Sequence, residues 1–357
     1  MRRRILVVRL DSAGDVLVSG PAVRAAAAHG EVWMLCGPRG VAAARILPGV
    51  ARVLEWECPW IVDPAPPATM ENTGALLDLV RECAPETALI LTSFHQSPLP
   101  LALLLRLAGV HEIAAASVDY AGRLLDTRIK PGEDMPEDQP EPVRALTIAR
   151  AAGFELPEGD DGRMRVAAPP DVTSLVGPGP YVVVHPGAAV PARTWPALQH
   201  RQAVSLLAKA GVRVVVTGAE GERALTSRVA GSSGIDLGGR TDFRTLAGVL
   251  AGASVLIAGN TGPAHLAAAV GTPVVSLYSP VIPAERWAPY GVPVALLGDQ
   301  HAACRGSRAR ECPIAGHPCL ARVTPQQVVD ACLALAGGAG AHPLGYRDDS
   351  HEEEVSA

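Results

Sequence analysis

The chain has 357 residues, 48% of them hydrophobic and 19% charged, with 36 Gly and 32 Pro dispersed along it. That is about two domains' worth of ordinary globular sequence, which excludes fibrous and wholly disordered classes. Thirty-one basic against 36 acidic residues leave a net charge of −5, no footprint for wrapping DNA or RNA.

In chain order, Arg4–Leu10 reads as a strand, Asp11-Ser12-Ala13-Gly14-Asp15 as a turn and Val16–Ala28 as a helix, followed by a strand at Glu31–Cys36. The alternation continues with helix Gly74–Cys83, strand Ala88–Thr92, helix Leu99–Leu107 and strand Glu112–Ala116. An acidic, proline-rich surface loop over 130–142 leads into a helix at Val143–Ala152, and the Pro/Gly-rich stretch 167–180 breaks the pattern. Beyond it come strand Tyr181–His185, helix Pro196–Ala210, strands Val212–Thr217 and Ile235–Leu237, helix Phe243–Ala251, strand Ser254–Ala258, helix Pro263–Val270, strand Pro273–Tyr278 and a last helix Pro325–Ala336.

Strands alternating with helices predict an α/β fold of two doubly wound, Rossmann-like domains facing each other. The divisions are residues 1–168, a linker at 169–180, a second domain at 181–336 whose last helix is free to pack back on the first, and a disordered tail at 337–357. Such sheets bind ligands at the carboxyl ends of their strands, so the active site is expected in the inter-domain cleft.

No run approaches the ~18 apolar residues of a spanning helix, and Leu99–Leu105 closes on Arg106. Met1-Arg2-Arg3-Arg4 resembles the start of a signal peptide, but the following apolar run is short, contains Arg9 and lacks a small-residue cleavage pattern. A cytoplasmic protein is expected, with the arginines available for peripheral contact with the inner face of the membrane. Seven cysteines, an odd number, argue for free thiols.

Four βα turns carry candidate chemistry. Asp15 stands where a helix dipole favours a carboxylate, suiting a general base and equally a helix N-cap. Asn260-Thr261-Gly262-Pro263-Ala264-His265 joins a buried strand to a helix with proline in its first turn, a place for a phosphate or for an ordinary capped turn. His185-Pro186-Gly187-Ala188 precedes Arg193-Thr194-Trp195-Pro196, where Arg193 could meet a leaving diphosphate. Gly218-Ala219-Glu220-Gly221-Glu222 offers carboxylates to a ribose diol or to solvent. Neither domain has a Gly-x-Gly-x-x-Gly fingerprint, which argues against an NAD-dependent oxidoreductase.

Together the opening Asp11-Ser12-Ala13-Gly14-Asp15, His185-Pro186-Gly187-Ala188, Arg193 ahead of Trp195-Pro196, and Thr261-Gly262-Pro263-Ala264-His265 resemble glycosyltransferase family 9, the ADP-heptose heptosyltransferases, over residues 5 to 335. The resemblance implies a GT-B fold and inverting, metal-independent transfer of a heptose from ADP-heptose to a hydroxyl of a glycolipid or other saccharide acceptor, as in lipopolysaccharide core biosynthesis. It implies Asp15 as base and Arg193 as leaving-group partner, with His185, Gly187, Ala188, Glu222, Thr241 of the 239–241 loop, Asn260, Thr261, Gly262, Pro263 and His265 on the donor. Ser12, Gly14, His95 and Gln96 fall on the acceptor side. No cofactor is implied beyond the donor substrate. Asn260 replaces the aspartate of several members, which bears on the donor sugar. The alternatives are a GT-B enzyme or epimerase using another nucleotide sugar such as a UDP-sugar, and a non-catalytic ADP-sugar-binding protein. Cys304, Cys312, His317 and Cys319 form a cysteine-rich loop whose spacing only loosely fits a structural zinc site, with free thiols the alternative.

Overall fold

The computed structural model describes residues 3–62 and 64–338. The tail expected from residue 337 thus lies, from 339 onward, outside the described residues. The first half contains β1 (Arg4–Arg9), α1 (Ala13–Val18), α2 (Gly20–His29), β2 (Glu31–Cys36), α3 (Val41–Ala44), β3 (Val50–Glu55), α4 (Met70–Cys83), β4 (Thr87–Ile90), α5 (Leu99–Leu107), β5 (Glu112–Ala116), β6 (Thr127–Ile129) and α6 (Glu141–Ala151). The second contains α7 (Thr173–Val176), β7 (Val182–His185), α8 (Ala197–Lys209), β8 (Val214–Val216), α9 (Arg223–Ala230), β9 (Ile235–Asp236), α10 (Phe243–Ala251), β10 (Val255–Gly259), α11 (Gly262–Ala269), β11 (Val274–Leu277), α12 (Ala284–Trp287), β12 (Val294–Leu297), α13 (Pro318–Ala321) and α14 (Pro325–Ala336).

Among the described residues these strands form two six-stranded sheets, ordered β3-β2-β1-β4-β5-β6 and β12-β11-β10-β7-β8-β9, and every named pair is parallel. Numbered from its own first strand, each follows the order 3-2-1-4-5-6, so each reverses direction beside its first strand and opens a crevice there. The inner strands are buried on both faces, as parallel sheets covered by helices must be. In β1, Ile5 and Val7 join one hydrophobic cluster while Leu6 and Val8 join another, the alternation expected of a pleated strand. The cluster holding Ile5 and Val7 also takes in Val183 of β7 and Leu246 and Leu266 of α10 and α11, so one apolar layer joins the two sheets.

The helix expected at 16–28 starts earlier and is two helices. Ala13, Gly14 and Asp15 are helical, and the break falls at Ser19, where Gly20-Pro21 begins a new helix because proline offers no N–H to the turn before it. The last helix does not return to the first domain. It packs on α8 and on β10, β11 and β12, burying Val328, Val329, Cys332 and Leu335 in a cluster made wholly of second-half residues. The acidic loop 130–142 closes on the second half: Arg286 donates through Nε to Asp138 Oδ1 at 2.8 Å and pairs with Glu137 at 3.2 Å.

Among the described residues no helix is long and apolar enough to cross a membrane. Arg3 and Arg4 are held by the protein itself. Arg3 Nη2 bonds Thr87 Oγ1 and Glu112 Oε2, both at 2.5 Å, while Arg4 donates to Cys83 O at 3.0 Å and lies over the Trp33 ring.

Candidate active site

The two crevices face each other across α1 and α11, which touch. A Cβ on Gly14 would lie 3.1 Å from His265 Cδ2 and 3.3 Å from the Gly262 α-carbon, so glycine at residue 14 lets the two helix N-termini approach. Between them runs a cleft of about 580 Å³. Asp11, Ser12, Gly14, Asp15 and Arg39 line it from the first half; His185, Gly187, Ala188, Arg193, Glu222, Thr241, Asn260, Thr261, Gly262, Pro263 and Arg310 line it from the second. A second cavity of about 390 Å³ is lined by Ser93, Phe94, His95, Gln96, Ile282, Trp287 and Arg308. Asp11, Asp15, Val190, Arg193 and Arg310 line both, so the candidate base and the candidate leaving-group partner stand where the two spaces meet.

Asp15 is fixed from three directions. Its Oδ2 accepts from the Ser12 backbone N–H at 3.0 Å and the Ser12 hydroxyl at 2.5 Å; its Oδ1 accepts from Arg9 Nη2 at 3.1 Å. Asp15 is the third residue of α1 and not its N-cap, which is Ser12; its carboxylate closes a capping box on the Ser12 N–H and still lines the cleft. Arg9, 1% exposed, gathers two further carboxylates, Asp11 at 2.9 Å and Glu141 at 3.3 Å, and donates to Ser93 Oγ at 2.8 Å. Burial alone pushes all three acids up. Asp11, crowded by Asp15, and Glu141, buried behind Arg9, stay raised; in Asp15 the guanidinium and the two Ser12 bonds outweigh burial and hold the group below its ordinary value.

On the opposite wall, Arg193 ends a short 3₁₀ turn over Pro191–Arg193 that two contacts fix. Ala192 N–H donates to Arg310 O at 2.9 Å, and Trp195, 3% exposed, donates from Nε1 to Val323 O at 3.1 Å. Burial pulls the Arg193 guanidinium down, which Tyr278 and Asp15 partly oppose. Glu222 accepts from the Ala219 N–H at 2.7 Å, and its carboxylate fills the space a Cβ on Gly187 would need, 1.9 Å from Oε1. His185 Nδ1 is 3.0 Å from Thr217 Oγ1, its ring pushed towards neutrality by burial against the pull of Glu222. Asn260, 5% exposed, donates weakly to Ser279 O at 3.4 Å and leaves Oδ1 without a partner.

Some placements differ from expectation. His265 does not line the cleft; it sits behind the wall, 7% exposed, against Gly14 and edge-on to Trp287, and burial lowers it to about 4. Ser12 and Gly14, expected on the acceptor side, line the larger cleft, whereas His95 and Gln96 do line the second cavity. In the cysteine loop, Cys304 and Cys319 are buried and Cys312 Sγ contacts Ile314 O at 3.3 Å. Among the described residues no three His, Cys, Asp or Glu side chains gather as metal ligands.

The sequence reading missed Arg9, Glu141, Arg308, Arg310 and the use of Asp11. For Arg9 a signal existed: a charge inside an otherwise apolar strand, which a two-faced buried strand tolerates only when it is paired. The arginines at 308 and 310 join the site only through tertiary structure.

The family model for glycosyltransferase family 9 (heptosyltransferase) matches residues 134–317, just over half of the chain. A lipopolysaccharide heptosyltransferase 1 from Salmonella typhimurium is 33% identical over 106 residues, a stretch covering 29% of this chain and about a third (33%) of that protein's length. In structure, the chain is similar to the E. coli ADP-heptose lipopolysaccharide heptosyltransferase II (TM-score 0.70, 18% identity, 94% of this chain and 99% of that one) and to a family 9 glycosyltransferase from Veillonella parvula (TM-score 0.73, 15% identity, 94% and 98%). These likenesses make the two facing sheets a GT-B fold. With its family motifs gathered around one cleft and half its length matched by the family model, the chain belongs to glycosyltransferase family 9.

Proposed function

We propose that the protein is an inverting, metal-independent glycosyltransferase that moves a heptose from ADP-heptose to a hydroxyl of a glycolipid or other saccharide acceptor, working on the cytoplasmic side of a membrane. The observation that carries this reading is the position of Asp15 and Arg193 on opposing walls at the junction of the two cavities.

In the larger cleft the donor diphosphate would lie against Arg193 and the N-terminus of α11, with the ribose diol at Glu222 and the adenosine side at Thr241. The acceptor would enter through the second cavity. Asp15 takes the proton of its hydroxyl as that oxygen bonds to the anomeric carbon; the bond from that carbon to the diphosphate breaks, and its electron pair leaves on the diphosphate oxygen. Base and leaving group then lie on opposite sides of the reacting carbon, the geometry of inversion. Arg193 and the α11 amides supply positive charge where negative charge develops, which is why the reading calls for no divalent ion.

Calorimetric titration with ADP-heptose, ADP, UDP, GDP and NAD, with and without a chelator, tests the donor. ADP-heptose should bind more tightly than ADP, and UDP and NAD should be silent. Preference for UDP or NAD, or binding lost to the chelator, would overturn the reading.

A further inference from the structure

Arg39 lines the donor cleft from the first half of the chain, opposite a wall made by the second. It is exposed, and among the described residues it makes no hydrogen bond, ion pair or ring contact. The backbone that carries it is nonetheless fixed. Arg39 lies in a 3₁₀ turn, Pro38–Gly40, between β2 and α3. A Cβ on Gly37 would lie 2.6 Å from Leu10 O, and one on Gly40 would lie 2.8 Å from Val16 Cγ2 and 3.2 Å from Cys36 Cβ, so both ends of the turn are pressed against the residues that lead from β1 into α1. A charged side chain is thus presented to the cleft from a held position, with nothing in the protein to receive it.

What faces Arg39 belongs to the other half. α3 follows the turn directly and touches α10, and Val41 of α3 shares a hydrophobic cluster with Leu246 of α10. The turn therefore stands at the end of the cleft lined by Thr241, Asp242, Phe243 and Leu246. Phe243 and the buried Leu246 give this end an apolar wall. Asp242 does not pair with Arg39; its Oδ1 caps α10 by accepting from the Thr245 N–H at 2.7 Å. Apolar side chains on one wall and an unpaired guanidinium plane on the other are the surroundings of a flat aromatic ring.

We infer that Arg39 lies across the adenine of the bound donor, with the ring held between its guanidinium and Leu246, so that the nucleotide is gripped by both halves of the chain. The identity of the base rests on the function proposed above. A guanidinium stacks on an aromatic face through its flat, weakly hydrated surface as well as its charge, which lysine does not reproduce. The diphosphate has its own cation in Arg193, so Arg39 adds recognition of the base rather than charge on the leaving group.

Adenosine, inorganic pyrophosphate and ADP, titrated into the wild type and three variants, separate base from phosphate. Arg39→Ala should weaken adenosine and ADP alike by about fivefold, the worth of a cation–π contact at an open site, and leave pyrophosphate unchanged. Arg39→Lys should recover little, whereas Arg39→Tyr should restore most of the adenosine affinity, because a flat ring replaces the guanidinium plane without its charge. Pyrophosphate weakened with adenosine unaffected, or rescue by lysine and not by tyrosine, would make Arg39 a phosphate contact and overturn the inference. In crystals of the wild type with ADP, the Arg39 guanidinium should lie within about 6 Å of the adenine ring centroid; a guanidinium turned to solvent or to the phosphates would overturn it too, whether or not the variants fold. A wild type that binds UDP and not ADP fails the donor reading, while ADP and adenosine bound equally by the wild type and a folded Arg39→Ala fail this inference alone.

Discussion

Gly187→Ala tests the ribose position through a residue that bears no chemistry. A Cβ there would lie 1.9 Å from Glu222 Oε1, 2.4 Å from its Cδ and 2.8 Å from Oε2, so the carboxylate must leave. The obstacle is the end of a flexible side chain, so the fold should tolerate the change and the melting temperature should move little. What is lost is the bond from the Ala219 N–H, 2.7 Å in the wild type, and with it the placement of the carboxylate in the cleft. A hydrogen bond to a charged group is worth about 1.5 to 3 kcal/mol, and a half-exposed carboxylate belongs at the lower end. ADP affinity should therefore fall about tenfold. Glu222→Gln should cost a similar amount, and the double variant little more than either, because both act through one contact. Calorimetric titration with ADP measures all three. Unchanged ADP affinity in Gly187→Ala, or additive losses in the double variant, would refute the assignment of Glu222 to the donor.

Asp15→Asn should lower kcat by about 10²- to 10⁴-fold with donor affinity nearly unchanged, in a transfer assay run beside a donor titration. Because the Arg9 guanidinium and the Ser12 bonds hold the Asp15 carboxyl below its ordinary value, the acid limb of kcat should lie below the usual carboxylate range, activity being lost as pH falls through that lowered pKa. Arg9→Lys keeps the charge but loses the fork and should move this limb towards higher pH, which a kcat profile reads. Gly14→Ala presses a Cβ to 3.3 Å from the Gly262 backbone, so α1 and α11 must part by a few tenths of an ångström; kcat should fall more than ADP affinity does. Away from the site, Arg24 forks onto Asp160 at 2.6 and 2.9 Å, and these bonds hold that carboxyl at about 2. The stability it contributes is present above the unfolded value of about 3.9 and is lost as pH falls towards 2, so Asp160→Asn should lower the melting temperature at pH 7 and flatten its decline in acid.

Local signals were readable where they were dense. Leu99–Leu107, Phe243–Ala251 and Pro325–Ala336 are helices over the predicted spans because each starts on a definite stop: Pro98 and Pro100 at the first, the Asp242 side chain accepting from Thr245 N at the second, Thr324 accepting from Gln327 N at the third. β3 escaped because it lies at the edge of its sheet, where Arg52 and Glu55 face solvent and no apolar run marks it. α9 escaped because two arginines and two hydroxyl residues dilute its apolar face. The site divides in the same way. The motif residues Asp15, Gly187, Asn260 and Thr261 sit in the segments that lead from a strand into the next helix, in the sequence and in the structure, whereas Glu141 reaches Arg9 across 132 positions and Arg310 enters from a long loop. Contacts of that separation leave no periodicity to read.

The charge on Asp15 has a consequence for how the two walls work together. A carboxylate held below its ordinary value is a weak base, and a sugar hydroxyl is a far weaker acid than any carboxylic acid. Asp15 therefore cannot strip the proton in advance; it can accept it only once the oxygen has begun to bond to the anomeric carbon and the diphosphate to leave. Departure of that group is what Arg193 assists, so base and cation act on one transition state from opposite domains. Residues acting as such a unit lose rate non-additively. With Asp15→Asn, Arg193→Gln and the double variant compared in kcat at saturating donor, the double should be slower than the worse single variant by less than about tenfold. Full multiplication of the two losses would mean that Asp15 and Arg193 stabilise the transition state independently, and would refute their coupling across the cleft.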